Sequence, residues 1–153
     1  MDKQLLDIYM QQALLEAQRA FYLGEVPVGA VIYKEGEVVS RAYNQIETTN
    51  DATAHAEILA IKAASIELNN WRLNDCVLVS TLEPCTMCLG AIKQSRISTI
   101  IFGASDPRFG ACGSLYNLAE NTDNGPVPEV HSGVMAEECK NLIQEFFRKL
   151  RSK

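Results

Sequence analysis

The sequence lacks a hydrophobic run long enough to span a membrane, and it does not open with a basic stretch followed by an apolar core. A membrane helix needs about 20 apolar residues, and a secretory signal needs both of those missing segments. The cysteines number five, an odd count, and do not have the regular spacing of a disulfide framework. We therefore expect a cytoplasmic protein with no membrane association and no disulfide partner, in a compartment that keeps thiols reduced.

Basic residues are too few for a protein that coats nucleic acid. There are 14 lysines and arginines against 19 aspartates and glutamates, which gives a formal net charge of −5. Because neutralising phosphates requires nearby Lys and Arg, any contact with nucleic acid must come from a local cluster. The C-terminal segment offers Arg148, Lys149, Arg151 and Lys153, although complementing a helix dipole would by itself explain these residues.

Repeats, linkers and low-complexity tracts are also absent, so 153 residues with 47% hydrophobic content predict a single domain over residues 1–153. Apolar residues recur every three or four positions over residues 3–23, which predicts an amphipathic helix that Gly24 ends. Further helices are predicted at 55–68, 84–95 and 134–150, and strands at 26–33, 38–43, 76–81, 97–102 and 129–132. Strands that alternate with helices after a leading hairpin predict an α/β fold, a three-layer α/β/α sandwich around one mixed sheet.

Polar residues and a proline mark two of the helix starts. Residues 44–50 form a predicted polar loop, after which Asp51 or Thr53 can cap the helix that begins near His55. Pro84 suits the first turn of the next helix, since its missing N–H would have no partner there.

The candidate metal-binding and catalytic residues lie in two separate segments of the sequence. Cys85 and Cys88 are three positions apart, so their thiolates share one face of a helix start. His55 completes a set of three ligands suited to Zn²⁺, and a fourth position left open is typical of catalytic zinc. Residues two apart in a helix differ by about 200° around its axis. Glu57 therefore converges on the same ion only if the helix begins at His55.

A structural zinc site is the alternative interpretation. It would need a fourth ligand from Cys76, Cys112, Cys139 or His131, and these residues show no pairing pattern. Glu57 favours catalysis, because zinc lowers the pKa of its bound water and a carboxylate whose pKa is raised by burial can relay the proton. We expect the three cysteines outside the ligand set to be small buried hydrophobes.

His-x-Glu followed by Pro-Cys-x-x-Cys is the signature of zinc deaminases, and longer stretches resemble one family of them. Residues 25–31 (EVPVGAV), 53–58 (TAHAEI), 81–88 (TLEPCTMC), 110–114 (GACGS) and 146–148 (FFR) are similar to bacterial-type tRNA-specific adenosine deaminases. The resemblance implies a cytidine deaminase-like fold and a homodimer with the active site near its interface. It also implies zinc-dependent conversion of the wobble adenosine of a tRNA anticodon stem-loop to inosine.

The resemblance also assigns individual residues. It implies zinc binding by His55, Cys85 and Cys88, and proton transfer by Glu57. Asn44 and Val28 are expected to line the base pocket and Asp106 to contact the adjacent ribose. The full set of implied substrate-binding residues is Val28, Asn44, Ala56, Asp106, Phe146 and Arg148. Without the resemblance, the residues at 44 and 106 serve equally well in turns.

Two further expectations concern surfaces, and two positions differ from the family. Phe146 and Phe147 are adjacent, so we expect one in the core and the other on a base or at the dimer seam. The loop 103–114 and the apolar residues Met87, Leu89 and Ile92 are expected to supply surface for the dimer. Two positions depart from the family pattern: Ala52 replaces a usual proline, and Gly125-Pro126 replaces an Asn-His pair in a loop near RNA.

Two other functions remain open from the sequence. The same zinc set would serve a deaminase of a free base or nucleoside, such as guanine or cytosine, and a zinc-stabilised RNA-binding module would need no catalysis. The basic tail (the C-terminal segment 148–153) and the Asp106 loop favour tRNA, because a free base has no sugar-phosphate backbone for them to contact. If the tail does not bind RNA, the path is expected around Asp106, Arg108 and Lys93.

Overall fold

The centre of the protein is one five-stranded mixed sheet, described by a computed structural model that covers residues 1–152. Its strands are β1 (Gly29–Lys34), β2 (Glu37–Tyr43), β3 (Cys76–Leu82), β4 (Thr99–Ala104) and β5 (Glu129–His131), in the order β2-β1-β3-β4-β5. β1 runs antiparallel to both neighbours, whereas β3, β4 and β5 are parallel. The carboxyl ends of β2, β3 and β4 therefore meet at one end of the sheet.

Helices cover both faces of this sheet, which confirms the predicted three-layer α/β/α fold. The helices are α1 (Lys3–Tyr22), α2 (Ile46–Thr49), α3 (Ala56–Glu67), α4 (Thr86–Gln94) and α5 (Ala136–Arg151). α1 and α5 pack on one face, and α3 and α4 on the other. Alternate residues of each central strand join opposite cores, because successive side chains of a strand point to opposite faces. In β3, for example, Val79 joins the α1 core and Leu78 the α3 core.

Close packing between α1 and β1 requires glycine at one crossing. A Cβ atom on Gly29 would lie 2.1 Å from the Ala13 carbonyl oxygen and 2.5 Å from the Ala17 backbone nitrogen. The predicted start of β1 at residue 26 is wrong, because the Val28 N–H bonds to the Val26 carbonyl at 2.8 Å and turns the chain before the strand begins. The predicted polar loop 44–50 likewise contains the short helix α2.

The helix starts also differ from the predictions. Neither Asp51 nor Thr53 caps α3, since the Asp51 carboxylate accepts from the Thr53 N–H at 2.8 Å and closes a local turn. His55 occupies the N-cap position instead. Pro84 lies outside α4 and not in its first turn, because Cys85 is the N-cap residue and Thr86 the first helical one.

The predicted dimer surface on α4 is mostly core. Leu89 and Ile92 are fully buried against the sheet, so the prediction is wrong for both, whereas Met87 is exposed. Cys76, Cys112 and Cys139 are buried thiols, as predicted. Within residues 1–152 no helix is both long and apolar enough to cross a bilayer. Lys153, part of the predicted basic tail, lies outside the described residues.

A buried carboxylate holds α2 in place. Glu25 accepts hydrogen bonds from the Glu47 N–H at 3.1 Å and from the Thr48 N–H and hydroxyl, both at 2.6 Å. Burial raises the pKa of Glu25, but the hydrogen bonds from Thr48 and Glu47 outweigh it and leave the pKa below its ordinary value. The ionised form is therefore the one that stabilises the fold.

Glu25→Gln should lower the free energy of unfolding at pH 7 by about 1.5–3 kcal/mol, the range for hydrogen bonds to a charged group. Because the folded pKa lies below the unfolded one, this contribution is complete above the ordinary value of 4.5 and is lost as pH falls through the folded pKa. Urea denaturation between pH 7 and pH 3 should show the two proteins converging in stability. A difference that stays constant over this range would contradict the role of the charge.

Candidate metal centre

Three predicted ligands meet at the carboxyl ends of the strands. His55 Nδ1 lies 3.4 Å from Cys88 Sγ and 3.7 Å from Cys85 Sγ, and all three ligand atoms lie within 4.8 Å of one another. A tetrahedral zinc with bonds of about 2.0–2.1 Å to nitrogen and about 2.3 Å to sulfur separates N from S by about 3.5 Å. The side chains therefore fit zinc without rearrangement.

The alternative fourth ligands do not join this cluster. In the part of the chain that the structure describes, His55, Cys85 and Cys88 form the one group of three or more potential ligands. Cys76 lies at the start of β3 and His131 at the end of β5. The arrangement is therefore the open three-ligand kind that is typical of catalytic zinc.

Two helix starts deliver the ligands. His55 precedes α3 and Cys85 precedes α4, both with extended backbone, and Cys88 lies in the first turn of α4. Because His55 stands outside the regular helix, its side chain and that of Glu57 do not diverge as residues two apart inside a helix do. The geometric condition for placing Glu57 beside the ligands is thus met.

The surroundings of the two cysteines and of Glu57 shift the pKa values of these groups in different directions. Hydrogen bonds from Cys88 and then from His55 lower the pKa of Cys85 to about 4. The hydrogen bond with Cys85 and burial raise the pKa of Cys88 above its ordinary value. Burial raises the pKa of Glu57, which is 3% exposed, to about 7. A carboxyl group with such a pKa can both accept and release a proton near neutral pH.

Three of the predicted substrate-binding residues lie beside the ligands. The Asn44 N–H donates to the Val28 carbonyl at 3.1 Å, and the Ala56 N–H donates to Asn44 Oδ1 at 2.8 Å. All three residues are buried. Asn44 thereby supplies the N-cap hydrogen bond of α3, which leaves the side chain of the N-cap residue His55 available for a metal. The sequence gives no local signal for this contact.

Glu83 is a site residue without a predicted role. Its buried carboxylate accepts from the N–H groups of Asp106 at 3.0 Å, Cys112 at 3.0 Å and Ser114 at 3.1 Å, and from the Ser114 hydroxyl. Burial raises the pKa of Glu83, but these hydrogen bonds outweigh it and leave the pKa below its ordinary value. The available signal was an acidic residue that directly follows a buried strand and precedes Pro84-Cys85.

The Asp106 loop forms one wall of a groove against α5. Asp106 accepts from the N–H groups of Arg108 and Phe109 at 3.1 and 3.3 Å, which shapes the turn. The groove has a volume of about 370 Å³, and Lys140 and Phe147 lie on its α5 side. The predicted ribose contact therefore lies in a loop that borders an open groove.

The aromatic pair of α5 divides between two surroundings. Phe146 packs edge to face on Phe21 of α1, with ring centroids 5.9 Å apart, whereas Phe147 lines the groove. Arg148 forms an ion pair with Glu145, and Lys149 lies 4.0 Å from the same carboxylate. Both basic side chains are exposed, and Lys149 lies over the ring of Phe21, with its Nζ 5.2 Å from the ring centroid.

Lys93 cannot belong to an exposed RNA path, so that alternative prediction is wrong for this residue. The side chain is buried, and its Nζ donates to the carbonyls of Leu118, Ala119 and Asn121 at 3.2, 3.2 and 2.6 Å. Lys93 therefore orders a loop beside α4 and does not reach the surface.

Sequence comparisons place the chain among deaminases. The family described as MafB19-like deaminase matches residues 4–151. A tRNA-specific adenosine deaminase of Bacillus subtilis (strain 168) is 46% identical over 147 residues, covering 96% of this chain and 91% of the relative. A protein of the same name from Aquifex aeolicus (strain VF5) is 48% identical over 147 residues, covering 95% and 96%.

Solved structures share the fold. One from studies of A-to-I editing by tRNA:A34 deaminases at the wobble position of transfer RNA has a TM-score of 0.83 and 40% identity, covering 88% of this chain and 98% of that one. A guanine deaminase from Nitrosomonas europaea has a TM-score of 0.80 at 22% identity, covering 92% and 83%, a likeness of fold alone. These matches agree with the predicted cytidine deaminase-like α/β fold.

Proposed function

The chain belongs to the family of tRNA-specific adenosine deaminases, and from this membership we propose that it converts adenosine to inosine at the wobble position of a tRNA anticodon loop. The observation that carries the proposal is the open cluster of His55, Cys85 and Cys88 with the buried carboxylate of Glu57 beside it. A structural zinc site has no use for a buried acid next to its ligands.

Zinc, when bound by these ligands, supplies an activated water at neutral pH. Glu57 takes a proton from the attacking water, delivers it to a ring nitrogen of adenine, and assists protonation of the departing amine. Burial of Glu57 keeps bulk water away from its carboxylate, and the thiolates of Cys85 and Cys88, near a helix N-terminus, would balance the charge of a bound ion. The ligands and Glu57 thus have separate roles: His55, Cys85 and Cys88 would hold the ion, and Glu57 transfers the proton.

We propose that the base enters between Val28, Asn44 and Ala56. Val28 offers apolar contact, and Ala56 presents backbone close to the ligand His55. The Ala56 N–H takes one of the two acceptor positions of Asn44 Oδ1, and the NH₂ group of Asn44 is available to donate to the substrate. This assignment makes Asn44 a hydrogen-bond donor to the nucleoside.

A polynucleotide substrate accounts for the groove outside this pocket better than a free base does. We propose that Asp106 contacts the ribose beside the target, and that α5 contacts neighbouring nucleotides through Arg148 and the Phe146–Phe147 pair, of which Phe147 faces the groove. Exposed aromatic and arginine side chains are suited to unstacked bases of an RNA loop. A free purine would use none of these groups.

We also propose that residues 1–153 form one cytoplasmic deaminase domain that assembles as a homodimer. The Tyr116 hydroxyl contacts Thr86 Oγ1, which brings the exposed residues Leu115 and Tyr116 to the start of α4, where Met87 is also exposed. This apolar patch lies next to the metal ligands. A partner seated there would border the active site.

Glu57→Gln should abolish inosine formation while leaving the fold and one zinc per chain intact. The amide keeps the shape but cannot relay a proton, and such groups typically contribute about 10²–10⁴-fold in rate. Inosine formation in an anticodon stem-loop should be compared with ammonia release from adenosine, guanine and cytosine, with elemental analysis for zinc. Glu67→Gln, an exposed change on the same helix, is the matched control. Faster turnover of a free base by the wild type would refute the tRNA assignment.

Reversing the charges of Arg148, Lys149 and Arg151 to glutamate should weaken binding of the stem-loop. The salt dependence should also flatten, by roughly one unit of slope for each phosphate contact that is lost. The control carries glutamate at Lys34, Lys62 and Arg72, which changes net charge equally on other parts of the surface. Equal salt slopes in the two variants would show that the tail is only a solvated helix end.

The homodimer should appear by sedimentation at micromolar concentration. Changing Leu115 and Tyr116 to aspartate should yield a monomer, because two charges would enter an apolar interface. Ile66→Asp alters another exposed apolar residue on α3 and should leave the dimer intact. A monomeric wild-type protein would remove the proposal.

A further inference from the structure

Glu83 joins the segment that carries a metal ligand to the loop that borders the groove. Its own N–H donates to the Ala104 carbonyl at 2.8 Å, and the Ala111 N–H donates to the Pro84 carbonyl at 2.9 Å. Cys85 pairs with Gly110 in an isolated antiparallel bridge. The backbone before the metal ligand therefore lies against the beginning and the end of the same loop.

The carboxylate of Glu83 lies inside this loop and uses both oxygens. Oε1 accepts from the Asp106 N–H and the Ser114 hydroxyl, and Oε2 accepts from the N–H groups of Cys112 and Ser114. In residues 1–152 no lysine, arginine or histidine lies within ion-pair distance of Glu83. Its negative charge is balanced by oriented N–H and O–H dipoles.

The loop packs tightly against the carboxylate of Glu83, so that only glycine fits at position 110. A Cβ atom on Gly110 would lie 2.3 Å from Glu83 Cδ, so the backbone at 110 touches the carboxylate directly. Both ends of the loop therefore donate hydrogen bonds to one carboxylate, that of Glu83, which lies two residues before Cys85. Movement of that group would displace the loop and the ligand together.

We propose that Glu83 is a positioning residue that holds the ligand Cys85 and the loop 105–114 in one fixed relation, so that the metal and the RNA contacts are aligned by a single carboxylate. The inference rests on the proposed function for the identity of metal and substrate. Glutamine cannot replace Glu83, because its NH₂ group would face N–H donors while its single oxygen serves the others. Aspartate is one methylene shorter and falls short of the loop.

The test compares Glu83→Gln, Ser114→Ala and the double variant with the wild type. Loading each with Co²⁺ reports thiolate ligation by absorption, and hydrogen exchange reports protection of the amides of residues 106, 112 and 114. In Glu83→Gln we expect a changed cobalt spectrum, faster exchange at these amides, and metal affinity lowered by about 10–100-fold. KM for the anticodon stem-loop should rise while kcat falls.

Ser114→Ala removes one donor and keeps the carboxylate, so it should shift the same readouts less, and it should add nothing in the Glu83→Gln background. If Glu83→Gln does not fold, this variant still tests the proposal through exchange at residues 106 and 112. Lys93→Met is the control for simple loss of a buried loop anchor. It should lower stability without changing the cobalt spectrum or KM.

A wild-type cobalt spectrum and wild-type KM in Glu83→Gln would overturn the proposal, as would a Lys93→Met variant that reproduces its changes. The proposed function fails separately, if the wild type itself binds no cobalt or forms no inosine. In that case the exchange measurements still decide whether Glu83 holds the loop, because they require neither metal nor RNA.

Discussion

The active site depends on the meeting of two helix starts at the end of the sheet where β2 and β3, two parallel strands on either side of β1, have their carboxyl ends. α3 follows β2 after the short helix α2, and α4 follows β3 directly; both begin beyond the carboxyl end of the strand before them. His55 and Cys85 each stand just outside a helix, so their side chains turn over the helix ends towards one point. A catalytic metal needs this convergence without a fourth protein ligand. The two hydrophobic layers, which fix the helices on the sheet, provide it.

Three buried carboxylates of the protein differ in pKa because their surroundings differ. Glu25 accepts several hydrogen bonds from α2 and Glu83 from the loop 105–114, and their pKa values lie below the ordinary value despite burial. Burial dominates at Glu57 and raises its pKa to about 7. Hydrogen bonds to the charged form lower a pKa, and desolvation raises it. The same residue type therefore occurs twice as an anion that orders backbone and once as a group whose pKa lies near neutral pH.

A shared fold does not by itself determine the substrate. The guanine deaminase of Nitrosomonas europaea has the same fold at 22% identity. In this chain the Asp106 loop and α5 enclose a groove beside the site, on a protein whose net charge is −5. Recognition of a polyanion must then be local, which agrees with exposed basic residues at the end of α5.

The amino-acid sequence by itself determined the cluster of His55, Cys85 and Cys88 and the order of the five strands and four longer helices, because these features follow from spacings of a few residues. Only the tertiary structure decided which residues support the ligands. Asn44 caps α3 from 12 positions away, and Glu83 holds Ser114 from 31 positions away. It also buried Leu89, Ile92 and Lys93, and it placed Phe146 against Phe21 of α1 while Phe147 lines the groove. Such contacts depend on how helices and strands pack across the sheet. The hydrophobic periodicity of one segment does not show which other segments it will contact.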